Sequence, residues 1–458
     1  MTQFFLGQSL RTLVAGAVLF ALAIPARGAL PEEYRKLWSD PVVNKRINDG
    51  IERNRKQDAV VEIRTASGQP AADATVELRQ KTHEFLFGCN AFVLGQLDTP
   101  EKNRKYEEAF VKLFNFATVP FYWEGTEPTQ GELRYAEGGR DIWRRPPPDR
   151  FLPWAKKHGI TLKGHPLLWH SSRYNAPWLP KDAEELKRLY QKRFAEIAAR
   201  YAQDITIWDM VNESLVCSKE YPLYSDDRAY VGWAFKEGHR VFPASTLLMI
   251  NEVTKVSHEP VAVNRYYPQV QQLLAQGADV RGIGFQFHCF SPKIRDKFVT
   301  DPLYSPTNLL DVYEHFAQFK LPLWVTEITI PDVVEEGQAT QAEVIANFYR
   351  VWFAAPRMAG ITWWNLGDGT AVKHENVALG GLIDENFDPK QSYRVLDKLI
   401  NHEWKTQLTA QTDAQGVLKF RGFCGTYVAK VTAGGVTKEF EISLSKDGRA
   451  THQLSLKP

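Results

Sequence analysis

The chain has 458 residues, 44% of them hydrophobic and 24% charged, with a formal net charge of +2. That length suits one large domain with appendages, and the composition is that of a globular chain rather than a disordered or fibrous one. The near-neutral balance gives no electrostatic basis for binding nucleic acid or an anionic membrane.

The first residues read as a secretory signal. Arg11 supplies the positive charge, Thr12 to Ile24 is an apolar run too short to span a bilayer comfortably, and Ala26-Arg27-Gly28 is a small-x-small cleavage site. Residues 1–28 are therefore expected to be removed; the alternative is a membrane anchor. No other stretch has the length and apolarity to span, so the mature protein is expected to be secreted or periplasmic, with no membrane contact. Cys89, Cys217, Cys289 and Cys424 lack metal-site spacing and are expected to be mostly free, buried thiols.

Residues 29–57 form a polar lead-in in which Leu37, Val43, Ile47 and Ile51 share one helix face. Within 58–82, Ala59 to Arg64 and Ala74 to Arg79 alternate like strands around the turn Ser67-Gly68-Gln69-Pro70. They predict a hairpin, too small to fold alone.

From 83 to 404 strand-like runs alternate with helical ones. The strands are predicted at 85–88, 116–119, 161–165, 207–213, 246–250, 282–288, 323–328 and 360–364. The helices are predicted near 101–114, 148–158, 182–201, 228–240, 261–276, 307–318, 339–355 and 390–402. Eight such units give an α/β fold, a (β/α)8 TIM barrel, with a doubly wound sheet as the alternative. In 405–458 the helical period disappears and five short strands follow, at 406–411, 417–420, 427–432, 436–443 and 451–456. They are expected to join the 58–82 hairpin in an accessory β-sandwich, the alternative being an independent C-terminal sandwich.

Two of the barrel strands end on a carboxylate, Glu213 after Ile-Trp-Asp-Met-Val-Asn and Glu327 after Leu-Trp-Val-Thr. A lone buried charge is costly, but a carboxylate at the C-terminal end of a barrel strand faces the cleft where such enzymes work. A pair of them is what glycoside hydrolysis requires. Taken singly, each could be a surface or helix-capping carboxylate. The 13 Trp and 12% aromatic content are first of all core material, and also suit a sugar-binding cleft.

Several ordered motifs make residues 83–402 resemble glycoside hydrolase family 10, whose best-known members are retaining endo-β-1,4-xylanases. They are Thr126-Glu-Pro-Thr-Gln-Gly131, Gly164-His-Pro-Leu-Leu-Trp-His170, Trp208-Asp-Met-Val-Asn-Glu213, Gly284-Phe-Gln-Phe-His288, Thr326-Glu327 and Leu382-Ile-Asp-Glu-Asn-Phe-Asp-Pro-Lys390. The resemblance implies that Glu213 is the catalytic acid and base and Glu327 the nucleophile. It implies that Asn212 bonds the sugar 2-hydroxyl, that His170 and Gln286 are further sugar contacts, and that His288 holds Glu327 ionised. Trp178 and Trp364 match platform or wall residues, and His165 and Asp209 are expected to support the site from behind. No metal or organic cofactor is implied. The implied partner is a polysaccharide or oligosaccharide substrate, handled by a monomer.

The chain also departs from the family. Where xylanases of this family carry Glu-Asn-Glu-Met-Lys-Trp, it reads Thr118-Val-Pro-Phe-Tyr-Trp123, so Thr118, Val119 and Tyr122 replace three sugar-gripping residues. Val372 stands where a roofing Trp is usual. The catalytic centre is expected to be kept while recognition is altered. The implied function is cleavage of β-1,4-xylosidic bonds in xylan or xylo-oligosaccharides. Another β-linked glycan or a xyloside conjugate is the alternative, and a non-catalytic glycan-binding protein is the rival from another class. The sandwich is expected to be structural, with carbohydrate binding as its alternative role.

Overall fold

A computed structural model describes residues 30–291, 294–332, 337–448 and 450–457; the expected signal segment 1–28 lies outside them. The lead-in is two helices rather than one, Glu32–Ser39 and Pro41–Arg55. Asp40 breaks the run, because its carboxylate accepts from the backbone N–H groups of Val42 and Val43 and caps the second helix. The break rotates the first helix, so Tyr34 and Trp38 are buried and Leu37 is exposed. Val43, Ile47 and Ile51 are buried as the spacing predicts.

Sixteen strands follow among the described residues. The first two are β1 (Lys56–Arg64) and β2 (Thr75–Gln80). The barrel region holds β3 (Leu86–Asn90), β4 (Phe116–Pro120), β5 (Thr161–His165), β6 (Leu168–Trp169), β7 (Ile207–Asn212), β8 (Leu247–Glu252), β9 (Gly282–His288), β10 (Leu323–Thr329) and β11 (Met358–Trp363). The last five are β12 (Gln407–Gln411), β13 (Val417–Phe423), β14 (Gly425–Ala433), β15 (Val436–Leu444) and β16 (Thr451–Ser455).

Eight strands close a parallel ring, β3-β4-β5-β7-β8-β9-β10-β11 and back to β3, with β6 a two-residue extension beside β7. They are almost wholly buried, as expected of strands covered by helices on one side and by the barrel interior on the other. Phe116, Ile207, Met249 and Trp324 cluster near the strand starts. Gly164, paired with Trp208, is required there, since a Cβ would lie 2.1 Å from the indole. The opposite, C-terminal rim is where strand-end side chains are free to converge.

The remaining strands form two sheets, β13-β1-β16 and β12-β2-β14-β15. The predicted 58–82 hairpin is therefore incorrect: β1 and β2 lie in different sheets. Val61 and Ile63 from β1 share one apolar core with Val76 and Leu78 from β2, and Tyr427, Val431 and Leu454 complete it. Each apolar face needed a facing layer more than an edge partner. The N- and C-terminal segments are thereby interleaved strand by strand. The four cysteines are free and buried. No helix among the described residues is long and apolar enough to cross a membrane.

Candidate active site

At the C-terminal rim a cleft of about 470 Å3 opens, lined by both glutamates together with Asn212, Gln286, His288 and Trp364. Glu213 follows directly on β7 and takes a left-handed backbone, φ 59°, a conformation that costs of order 1 kcal/mol or more outside glycine. The turn is held from β8. Glu213 N–H donates to Asn251 C=O at 2.8 Å, while the buried Glu252 carboxylate accepts from Ser214 Oγ at 2.7 Å and Leu215 N–H at 2.9 Å. Glu327 lies inside β10, where the register slips against β9 and turns the carboxylate inward.

One amide joins the pair. Gln286 Nε2 donates to Glu213 Oε1 at 2.9 Å and to Glu327 Oε1 at 3.2 Å. The closest oxygens are thus no farther apart than those two bonds laid end to end. So close an approach of the nearest oxygens suits a retaining hydrolase, whose carboxyls stand roughly 5–5.5 Å apart, better than an inverting one, which keeps them roughly 6.5–9.5 Å apart for water.

The other partners differ. Glu213 Oε2 accepts from Trp169 Nε1 at 3.1 Å. Burial pushes its carboxyl up, and the Glu327 charge adds to this against the bonds from Gln286 and Trp169 and the nearby His288. Glu327 accepts from Asn251 Nδ2 at 2.9 Å and from His288 Nε2 at 3.1 Å. Burial pushes it up too, but His165, His288 and Lys163 together outweigh burial and hold it below the ordinary carboxylate range. Paired carboxyls pushed in opposite directions are suited to one acid role and one ionised role.

Behind Glu327, Asp209 accepts from Lys163 Nζ at 2.7 Å and from His165 Nδ1 at 2.6 Å, all three fully buried. His165 also reaches the cleft wall. Asn212 Oδ1 accepts from Asn251 Nδ2 at 2.9 Å, and Asn251 in turn accepts from Thr326 Oγ1 at 2.6 Å. His288 Nδ1 lies 3.0 Å from Thr329 Oγ1, and its ring stacks on Phe290 at 4.7 Å.

Two expected sugar contacts are not in the cleft wall. Trp178 packs edge-on against Trp123 and donates its Nε1 to Glu127 C=O at 3.0 Å, which turns the indole into loop packing. His170 lies beside Tyr221, with Nε2 buried and unpaired and burial holding its pKa down. Thr118 and Val119 are fully buried in β4 and do not line the cleft. Tyr122 and Val372 do line the cleft.

Sequence reasoning missed Asn251, Glu252, Arg144, Arg145, Arg173 and Tyr174. The polar pair Asn251-Glu252 at the end of an apolar run repeats the pattern of Asn212-Glu213 and was the available signal. The arginines sit in irregular loops with no periodicity to mark them.

The family model for glycosyl hydrolase family 10 matches residues 92–398. The chain is 24% identical over 425 residues to the anti-sigma-I factor RsgI6 of Acetivibrio thermocellus, covering 91% of this chain and 50% of that protein. It is 24% identical over 403 residues to endo-1,4-beta-xylanase 1 of Arabidopsis thaliana, covering 86% of this chain and 38% of that protein. The chain thus spans half or less of the length of these curated relatives. Among solved structures, it is similar to xylanase 10B from Thermotoga petrophila RKU-1 in complex with xylobiose, with TM-score 0.55 and 22% identity over 70% of this chain and 95% of that one. Native xylanase10C from Cellvibrio japonicus gives TM-score 0.57 and 17% identity over 73% and 72%. These structures share the barrel fold. With the family model matching well over half its length, the chain belongs to glycosyl hydrolase family 10.

Proposed function

We propose that this protein is a retaining glycoside hydrolase that cleaves β-1,4-xylosidic bonds in xylan or xylo-oligosaccharides by double displacement. The observation that carries the reading is the opposite displacement of two carboxyls tied to one amide, Glu213 upward and Glu327 downward. Glu327, ionised and fixed by Asn251 and His288, attacks the anomeric carbon while Glu213 protonates the leaving oxygen. The same Glu213, now ionised, draws a proton from water, which releases the sugar from Glu327. Asn212, bonded by Asn251 at 2.9 Å, meets the 2-hydroxyl in this reading, where such bonds strengthen in the transition state. Each step needs only these side chains.

Another β-linked glycan is the second reading, favoured by Tyr122 and Val372 in the cleft wall. Export is included in the proposal and rests on the sequence of residues 1–28. The test is reducing-sugar release from xylan, with Glu327→Ala as the blank. Release that disappears in the variant supports the assignment. No release from the unaltered chain removes xylan as the substrate.

A further inference from the structure

The wall of the cleft around Tyr122 has no use in that mechanism, and it carries three arginines, Arg144, Arg145 and Arg173, against one carboxylate, Glu375. Arg144, Arg145, Arg173 and Lys255 all line the cleft. Arg145 pairs with Glu124 at 3.2 Å. The other three make no ion pair with a carboxylate among the described residues. Three of the guanidiniums are strung along one ladder of aromatic rings. Arg144 and Arg145 stand 5.3 and 6.0 Å from the centre of the Phe92 ring. Arg145 also lies 3.8 Å over Tyr122. Arg145 and Arg173 stand 5.7 and 5.5 Å from Tyr174. Tyr174 stacks on Trp169 at 5.0 Å, and Trp169 is the residue that bonds Glu213. The cationic wall therefore runs up to the acid end of the catalytic pair.

Two of these charges are buried. Arg144 is 3% and Arg145 6% exposed, and the Nε of each is buried without a partner. Arg144 spends Nη1 on Asn365 Oδ1 at 2.6 Å and on Thr370 C=O, and its Nη2 has no partner among the described residues. Asn365 in turn donates Nδ2 to the Glu375 carboxylate at 2.9 Å, so Glu375 offsets the Arg144 charge through this amide and Glu124 offsets Arg145, while the two adjacent guanidiniums still repel each other. Among the described residues, the Arg173 guanidinium has one hydrogen-bond partner, the ring nitrogen of His374 at 3.4 Å. A guanidinium fork matches a carboxylate two bonds at a time, and the aromatic ladder offers flat faces for a sugar ring.

We propose that Arg144, Arg145 and Arg173 form a carboxylate subsite that binds a hexuronic acid residue, so that the substrate is an acidic rather than a neutral β-linked glycan. This rests on the glycosidase reading above and names its substrate class. The uronate is carried by the chain or by a branch next to the cleavage point, and its carboxylate replaces the charged sugar grip that Thr118, Val119 and Tyr122 no longer provide.

The experiment is calorimetric titration of the full chain carrying Glu327→Gln with two ligands. One is a xylo-oligosaccharide bearing one glucuronic acid; the other is the same oligosaccharide after reduction of its carboxyl to the alcohol. The acidic ligand is expected to bind about tenfold more tightly or better, as one charge-assisted bidentate contact implies. The difference should shrink as salt is raised. It should shrink also when Arg173→Met is added, a change at an exposed position that leaves the buried arginines in place. Equal binding within about twofold, or tighter binding of the reduced ligand, overturns the subsite and leaves the xylanase reading intact. Binding of neither rejects the xylan assignment. Titration with the methyl glycoside of glucuronic acid then decides the subsite by itself, binding keeping it and no binding removing it.

Discussion

Glu213 and Glu327 accept hydrogen bonds from the same nitrogen, Gln286 Nε2, yet their carboxyls are displaced in opposite directions. Burial raises both. What separates them is the balance of neighbours: His165, His288 and Lys163 outweigh burial at Glu327, while at Glu213 His288, the Trp169 indole and the Gln286 amide do not outweigh burial and the Glu327 charge.

The pH profile follows from that separation. Activity needs Glu327 ionised, which holds above its lowered pKa, and Glu213 protonated, which holds below its raised pKa. A bell-shaped kcat/KM profile is expected, its acid limb set by Glu327 and its alkaline limb by Glu213. Lys163→Met removes one of the charges that stabilise ionised Glu327, so its acid limb should move to higher pH while the alkaline limb stays. A variant profile shifted on the alkaline side alone would contradict the assignment of limbs.

Removing the acid should be selective for the leaving group. Glu213→Ala is expected to lower kcat/KM on xylo-oligosaccharides by about 10²–10⁴. The loss should be much smaller on an aryl xyloside whose leaving group needs no proton, measured by initial rates on the two substrates. Equal losses on both would indicate that Glu213 acts on structure rather than on the proton.

Glu252 gives a stability test. It is fully buried and its pKa is pushed up to about 7, by burial first and by the nearby Glu213 charge, against its bonds from Ser214 and Leu215. The folded chain therefore holds a proton there that the unfolded chain loses near the ordinary value of 4.5. Its contribution is fully present below that ordinary value and is lost as pH rises through about 7. Glu252→Gln keeps an oxygen for Ser214 and Leu215 and cannot ionise. The variant should show a smaller fall in Tm between these two pH values. An unchanged slope of Tm against pH would show that Glu252 does not titrate there.

Arg55 ties the lead-in helix to the barrel. Its guanidinium is half-buried and donates to Ala355 C=O at 2.6 Å, to Met358 C=O at 2.7 Å and to Phe353 C=O. Arg55→Met leaves three carbonyls short of a donor and should cost on the order of 3 kcal/mol in urea unfolding, with KM unaffected. A cost below about 1 kcal/mol would mean that water replaces the guanidinium.

Truncation after Trp404 is expected to give insoluble protein. It strips β1 of both its neighbours and β2 of both of its own, leaving open edges and an uncovered apolar face. A soluble, cooperatively folding truncate would show that the barrel does not depend on the sandwich.

Strand and helix periodicity made most of the barrel legible, because apolar runs buried on both faces alternate with long amphipathic stretches. β9, predicted at 282–288, has those bounds in the structure. What periodicity does not encode is partnership. β1 and β2 alternate alike, and nothing in their pattern says whether they pair at an edge or face each other across a core. The same limit explains Trp178, where a motif places the residue but a carbonyl of the neighbouring loop, Glu127, claims its indole N–H. Arg144 and Arg145 were invisible for a further reason: a buried cation in a proline-rich loop acquires its meaning only from rings and carbonyls brought in by other loops.

The central claim is double displacement by Glu327 and Glu213, and the stereochemistry of the first product tests it most directly. Proton NMR during cleavage of a xylo-oligosaccharide should show the β-anomer of the new reducing end first, with the α-anomer growing in only by mutarotation. First appearance of the α-anomer would contradict the account.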